Sequence, residues 1–248
     1  MKGKRFLYDR LCVNVLAKDP HNSKEIYEAT EGHVIVGVLS ADYDRAEEAV
    51  EAMREFDEAI DGAVSVGLGA GDPTQSEKVV EILRTYHPEH VNQVFTGVGA
   101  SRAALNQRDT WINALVQPTG IVGSVNIATG PASSKSEGAV VSVETAIKMV
   151  KDMGGNSLKF FPMKGLETRS EYKALAEICA KHNFALEPTG GIDLNNFGEI
   201  IEIALEAGVP KVIPHVYSSI IDKETKKTKM EDIIQIYEIM KEIGKKHT

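Results

Sequence analysis

Residues 157–192 read SLKFFPMKGLETRSEYKALAEICAKHNFALEPTGGI. Leu158–Pro162 is a short apolar run broken by one charge, Lys159, and it fits a buried strand. A helix follows at 169–182. A second short strand at 184–187 then runs into Pro188-Thr189-Gly190-Gly191, a turn by composition. Strand, helix and strand in this order make one βαβ unit, whose two strands lie parallel.

The same alternation extends outward. His33–Leu39 reads as a buried strand, and residues 42–56 as an amphipathic helix with acidic residues early, where the helix dipole favours them. Ala63–Leu68 is a strand running into Gly69-Ala70-Gly71-Asp72-Pro73, with a helix near 74–86. Val91–Phe95 is a strand ending at Thr96-Gly97-Val98-Gly99, followed by a helix over 100–108. Ile112–Val116 and Gly123–Ala128 also read as strands, and residues 130–138 as a loop. The helix over 142–153 starts on Ser142 as N-cap and stops at Gly154-Gly155. Beyond residue 192, a helix at 195–207 precedes a strand, Lys211–Val216. A charged insert, IDKETKKTKMED, leads to a last helix at 231–244.

About eight near-continuous apolar strands alternating with helices in 248 residues imply an α/β fold of the (β/α)8 TIM-barrel type. An open doubly wound sheet is the alternative. One domain is expected over 1–248. Residues 1–32, ahead of the first clear strand, are expected to form an N-terminal extension covering the barrel floor.

Hydrophobic residues make up 42% of the chain and charged residues 26%, an ordinary globular composition. A net charge of −8 argues against nucleic acid as the main partner, since phosphates need a basic stripe. Cys12 and Cys179 lie in no CxxC or Cys/His pattern, so reduced thiols are expected. No apolar run has the length of a membrane span, and no secretory h-region opens the chain. A cytoplasmic protein with a small-molecule partner is expected.

Lys159 carries the chemistry. A lysine at a strand end either snorkels to water or pairs with a carboxylate. If it is desolvated instead, its pKa falls, and the neutral amine attacks a carbonyl to form a Schiff base. Aligning Pro162 with Pro188 sets Glu187 opposite Phe161, on the face of Lys159 and one layer above it. Glu187 is then either a proton acceptor or an ion-pair partner of Lys159 or Lys164. Gly190-Gly191 either presents N–H groups to an anion or is a plain tight turn. Ser218 and Ser219 follow the next strand and bring hydroxyls to the same anion. His215 faces the ligand or is a satisfied core histidine. Residues 67–71, GLGAG, fit the dinucleotide pattern poorly and suit a glycine-rich strand end, with Asp72 as an N-cap. Lys135 and Lys164 are loop lysines suited to anions. No His/Cys/Asp spacing makes a metal site, and no cofactor is expected.

LKFFP at 158–162 and PTGGI at 188–192, in this order and at this spacing, resemble the 2-dehydro-3-deoxy-6-phosphogluconate (KDPG) aldolase family. The chain looks most like its longer, divergent branch, clearly over about residues 140–220 and by topology before that. The resemblance implies a metal-free class I aldolase on a (β/α)8 barrel, generally oligomeric, that releases pyruvate and glyceraldehyde 3-phosphate. It implies Lys159 as nucleophile, with Thr189, Gly190 and Gly191 at the phosphate and Ser218 and Ser219 nearby. Shorter members carry a glutamate base and an arginine carboxylate clamp on an early strand. Those places fall near Ser65 and Gly69 here, and neither residue substitutes. Glu187 becomes the candidate base, and Arg102 the candidate carboxylate partner. Aldolases of 4-hydroxy-2-oxoglutarate or other 2-keto-3-deoxy acids are alternatives. So are a phosphosugar isomerase or epimerase and a non-catalytic sugar-phosphate-binding barrel.

Overall fold

In the computed structural model, which describes residues 1–248, strand and helix alternate from Val13 onward. The first strands are β1 (Val13–Leu16), β2 (Val34–Leu39), β3 (Val64–Gly67), β4 (His90–Val94) and β5 (Trp111–Val116). Past a short pair, β6 (Ser124–Asn126) and β7 (Val140–Ser142), come β8 (Ser157–Phe160) and β9 (Ala185–Pro188). All but β6 and β7 form one seven-stranded parallel sheet in the order β1-β2-β3-β4-β5-β8-β9. The helices are α1 (Pro20–Ala29), α2 (Ala46–Ala59), α3 (Ser76–Leu83), α4 (Val98–Leu105), α5 (Val143–Asp152), α6 (Arg169–Lys181), α7 (Phe197–Glu206) and α8 (Met230–Lys246). None is long and apolar enough to cross a membrane.

The main apolar core lies between strands and helices, where Val36, Val64, Leu158 and Phe160 meet Ala49, Met53, Tyr172 and Leu175. A separate small cluster, Phe6, Cys12, Ile35 and Ile213, sits with Trp111 packed against it. Because strand side chains alternate, the other inward positions fall on polar residues: Asn14, Ser65, His90, Asn92, Asn113, Ser157, Lys159 and Glu187, all buried.

Three expectations need correction. Residues 13–29 are not an extension: β1 pairs with β2 in parallel, Val13 opposite Val34, and α1 follows it. Asp19 caps α1 by accepting from Asn22 N at 2.8 Å. The stretch Gly123–Ala128 adds no strand to the main sheet. Its β6 pairs antiparallel with β7, Val125 opposite Val141, so β5 pairs directly with β8. Lys211–Val216 lies between β9 and β1, but only through isolated bridges. Val212 and His215 bridge Leu186 and Thr189 on one side, and Leu11 and Asn14 on the other. Pro214 has no N–H to give, which interrupts the ladder. The α/β architecture expected from the sequence is present, without an uninterrupted eighth strand.

At the N-terminal ends of the strands, Arg5 is fully buried. It donates to Glu89 Oε1 at 2.9 Å, to Tyr27 Oη at 2.9 Å and to the Asp61 carbonyl.

Candidate active site

Lys159 points inward because Leu158 and Phe160 on either side pack outward under the helices, Phe160 stacking on Tyr172 of α6. It is 7% exposed, and Nζ donates to Asn92 Oδ1 at 2.9 Å. Burial lowers its pKa from the ordinary lysine value of 10.5 to about 8, with the charge of Glu187 acting the other way. An amine tuned this far spends part of its time neutral near pH 7.

Glu187 does share the inward face of the sheet with Lys159, but in a different register from the proline alignment. Lys159 pairs with Glu187 and Phe160 with Pro188. The carboxylate lies below the lysine, beside Ser157, and not one layer above it. It accepts from His215 Nε2 at 2.8 Å, His90 Nε2 at 3.1 Å, Asn113 Nδ2 at 2.7 Å, Trp111 Nε1 at 3.1 Å and Ser157 Oγ. Burial alone would raise its pKa, but its close interactions with His90 and His215 outweigh this and hold it well below the usual range. A carboxylate so saturated is a poor proton acceptor, which overturns its assignment as a base in direct contact with substrate.

Around it runs a closed hydrogen-bond net. Asn92 accepts from Lys159 and from Asn113 Nδ2 at 2.9 Å, and donates to Ser65 Oγ at 3.0 Å and to Val66 O at 3.1 Å. Asn14 Nδ2 also donates to Ser65 Oγ, at 3.0 Å. With two donors accepted, the Ser65 hydroxyl gives its own proton to His90 Nδ1 at 2.8 Å. His90 Nε2 therefore carries a proton and points it at Glu187. His90, Glu187 and His215 are the one group of metal-ligating types, their ligand atoms within 4.8 Å of one another. The donor set fits hydrogen bonding: the proton on His90 Nε2 occupies the position a ligating lone pair would need.

Above the net, Lys159 lines a small hollow of about 50 Å³ with Asn92, Thr189, Tyr217, Phe161 and the glycine loop 67–71. Phe161, Thr189 and Tyr217 continue into an outer cavity of about 510 Å³, which also reaches Gly190, Gly191, Ser218 and Ser219. No lysine or arginine other than Lys159 lines either space. Gly190 and Gly191 have φ of +99° and +69°, conformations natural to glycine. Their N–H groups donate to no protein acceptor, while Gly190 O accepts from Gly165 N at 2.8 Å. A paired N–H turn of this kind suits an anion.

Thr189, Gly190, Gly191, Ser218 and Ser219 are thus brought together at one mouth. The hydroxyl of Ser219, however, donates to Ile192 O at 2.7 Å and pins its loop. His215 borders the outer cavity, but both its ring nitrogens are taken, by Glu187 and by Tyr217 Oη at 2.9 Å, so neither is free for a ligand. Arg102 is a correction. Its guanidinium is spent on the carbonyls of Gly154, Gln107 and Thr110 and on Asn156 Oδ1. Those loops precede β5 and β8, so Arg102 lies at the opposite end from the cavity. Lys135 and Lys164 are exposed and line neither space. The glycine run 67–71 lines the lysine hollow, and Asp72 accepts from Thr74 N as an N-cap. The sequence reading missed His90, Asn92, Asn113 and Tyr217. A signal was there: His90-x-Asn92, Trp111-x-Asn113 and Ser157-x-Lys159 place polar groups two apart, on one face of otherwise apolar strands.

The sequence profile of the KDGP aldolase family matches residues 7–224. The 2-dehydro-3-deoxy-phosphogluconate aldolase of Salmonella typhimurium (strain 14028s / SGSC 2262) is 50% identical over 244 residues, 97% of this chain and 99% of that protein. A native KDPGal structure resembles the chain with a TM-score of 0.55 at 11% identity, over 96% of this chain and 95% of that one. The carboxyl transferase domain of Rhizobium etli pyruvate carboxylase with 3-hydroxypyruvate gives a TM-score of 0.58 at 11% identity, over 96% of this chain and 48% of that one. At such identities these two structural likenesses concern the fold alone.

Proposed function

The chain belongs to the KDGP aldolase family, and from that premise we propose a class I aldolase that cleaves 2-dehydro-3-deoxy-6-phosphogluconate to pyruvate and glyceraldehyde 3-phosphate. The observation that carries the reading is Lys159, buried at the inner end of the cavity with its pKa lowered to about 8. We read the whole chain as one (β/α)8 barrel, with residues 211–216 in the place of the eighth strand.

Neutral Nζ adds to the C2 carbonyl, the oxygen leaves as water, and an iminium forms. The C4 hydroxyl loses its proton, and that O–H pair becomes the second bond of the aldehyde. The C3–C4 pair moves toward the iminium, leaving an enamine on Lys159. C3 then takes a proton, and water hydrolyses the iminium to free pyruvate and restore the amine. The phosphate belongs at the free N–H groups of Gly190 and Gly191, with the Ser218 hydroxyl beside them. With Arg102 elsewhere, the carboxylate falls to the backbone of Gly69-Ala70-Gly71, which lines the lysine hollow with N–H groups that have no protein acceptor.

The test is borohydride reduction in the presence of pyruvate. The expected result is one reduced pyruvyl adduct on the Lys159 peptide, with loss of activity, and no adduct or turnover in Lys159→Met. An active wild-type enzyme that gains no mass on this peptide would rule the imine out.

A further inference from the structure

The reaction just described needs a group that takes a proton from the C4 hydroxyl and returns one to C3, and Glu187 is not placed for it. Of the residues lining the lysine hollow, only Lys159 and Tyr217 are ionisable. Tyr217 also lines the outer cavity, so it stands where both spaces meet. Thr189, the other hydroxyl in the hollow, donates to Glu187 O at 3.2 Å.

Behind Tyr217 lies a chain of two further groups. Tyr217 Oη is 2.9 Å from His215 Nδ1, and His215 Nε2 is 2.8 Å from Glu187 Oε2. Glu187 is ionised and can only accept, so His215 Nε2 carries a proton. Burial and the positive charge of Lys159 push His215 down to about 3, so the ring rests neutral and Nδ1 is a lone pair. That lone pair faces the Tyr217 O–H. Asn14 Oδ1, at 3.2 Å, is a second and more distant acceptor for the same O–H, so the proton rests on the shorter path to His215. Carboxylate, imidazole and hydroxyl stand in the sequence that lets a weak acid act as a base.

We propose that Tyr217 is the catalytic residue that exchanges protons with substrate, with His215 storing the proton behind it and Glu187 positioning the imidazole; the assignment rests on the aldolase reading above. In cleavage, the C4 hydroxyl proton passes to Tyr217 Oη as the phenol's own proton passes to His215 Nδ1. His215 becomes an imidazolium beside the Glu187 carboxylate. In the same step the iminium on Lys159 takes up the C3–C4 pair and loses its positive charge. The charge that opposes protonation of His215 therefore disappears as the proton arrives. In the return step, Tyr217 gives a proton to C3 and recovers one from His215. The relay ends as it began.

Exchange of the pyruvate methyl hydrogens in heavy water, followed by proton NMR, isolates the C3 step, and borohydride trapping isolates imine formation. Tyr217→Phe keeps the ring and removes only the hydroxyl. It is expected to trap pyruvate on Lys159 to the wild-type yield, while exchange and aldol cleavage fall at least about 100-fold, the usual loss on removing a general acid–base group. His215→Gln is the second variant. Its loss should fall on the exchange kcat, with the KM for pyruvate and the trapping yield unchanged, a split that mere loosening of the site would not give. Near-wild-type exchange in Tyr217→Phe would overturn the relay. So would loss of trapping together with exchange, which would assign Tyr217 to binding or imine formation. Failure of the wild-type enzyme itself to trap pyruvate would instead remove the aldolase reading, and is a separate result.

Discussion

Lys159 combines a chemical asset with a cost in stability, and both come from the same burial. Protonated lysine is disfavoured in the folded interior, so its pKa falls from 10.5 to about 8. Below pH 8 the residue is protonated in both states, and the fold bears the whole cost. Between 8 and 10.5 the unfolded chain binds more protons than the native one, so stability rises with pH. Above 10.5 the cost is gone. The shift corresponds to about 3 kcal/mol. Lys159→Met removes it but also removes one hydrogen bond to Asn92, worth about 1 kcal/mol. The variant is expected to be about 2 kcal/mol more stable than wild type in urea at pH 7, with the gain fading toward pH 10.5. A variant less stable at pH 7 would contradict the burial argument. Activity runs the same way: kcat/KM should climb through an acid limb near pH 8, as the amine becomes neutral. The lysine was legible in the sequence because a charge inside LKFFP has no ordinary place. The layer of Glu187 was not, because strand register is set by long-range pairing in the sheet and not by where two prolines fall.

Among the elements, the turn after β9 is tightly constrained by its backbone neighbours. A Cβ on Gly191 would lie 2.5 Å from Gly165 N and 2.7 Å from Lys164 C, and φ at this residue is +69°. The β8–α6 loop is clamped here, with Met163 N donating to Thr189 O at 3.0 Å and Gly165 N to Gly190 O at 2.8 Å, while Asn196 Nδ2 closes the turn itself on Gly191 O at 2.9 Å. Gly191→Ala is expected to push this loop away, cost about 1–3 kcal/mol in backbone strain, and raise the KM for the phosphorylated substrate by about tenfold or more (about 1.4 kcal/mol). Trapping of pyruvate, which has no phosphate, should persist in the variant. Equal loss of both would place the damage at Lys159 and remove the anion role of the turn. Helices and most sheet strands could be read locally, since apolar runs ended on caps and glycines such as Ser142 and Gly154. The misreadings share a physical cause. β1 is four residues with the polar, inward Asn14 in its middle, so it lacks the apolar run of a buried strand. β6 has a strand's composition, and only its long-range choice of partner separates a hairpin from a sheet strand.

Across the whole molecule, chemistry and stability sit at opposite ends of the strands, the division expected of this architecture. Glu187 links the two: its donors come from β4, β5, β8 and the closing segment, so one carboxylate gathers strands that the sequence keeps far apart. No local pattern announces such a hub, because each donor is an unremarkable polar residue until the sheet curls. The lower end carries its own hub in Arg5, which is fully buried and reaches Glu89 ahead of β4, the Asp61 carbonyl ahead of β3, and Tyr27 on α1. Arg5→Met would leave Glu89, only 10% exposed, with Lys2 at 3.3 Å as its remaining cation. Breaking a buried pair from one side costs about 3–5 kcal/mol, and the Lys2 contact puts this case near the lower figure. For a chain of this length, about 3 kcal/mol lowers Tm by about 6–12 °C. Arg5→Met with Glu89→Gln should lose less than the two single losses combined, because the second change removes the charge that the first leaves stranded. Below the transition, kcat of Arg5→Met should stay within about twofold of wild type, since none of these groups lines the lysine cavity. Thermal unfolding read beside kcat at 25 °C decides it. A lowered kcat with an unchanged Tm would mean that the N-terminal ends of the strands act on the lysine cavity, and the division between the two ends would fail.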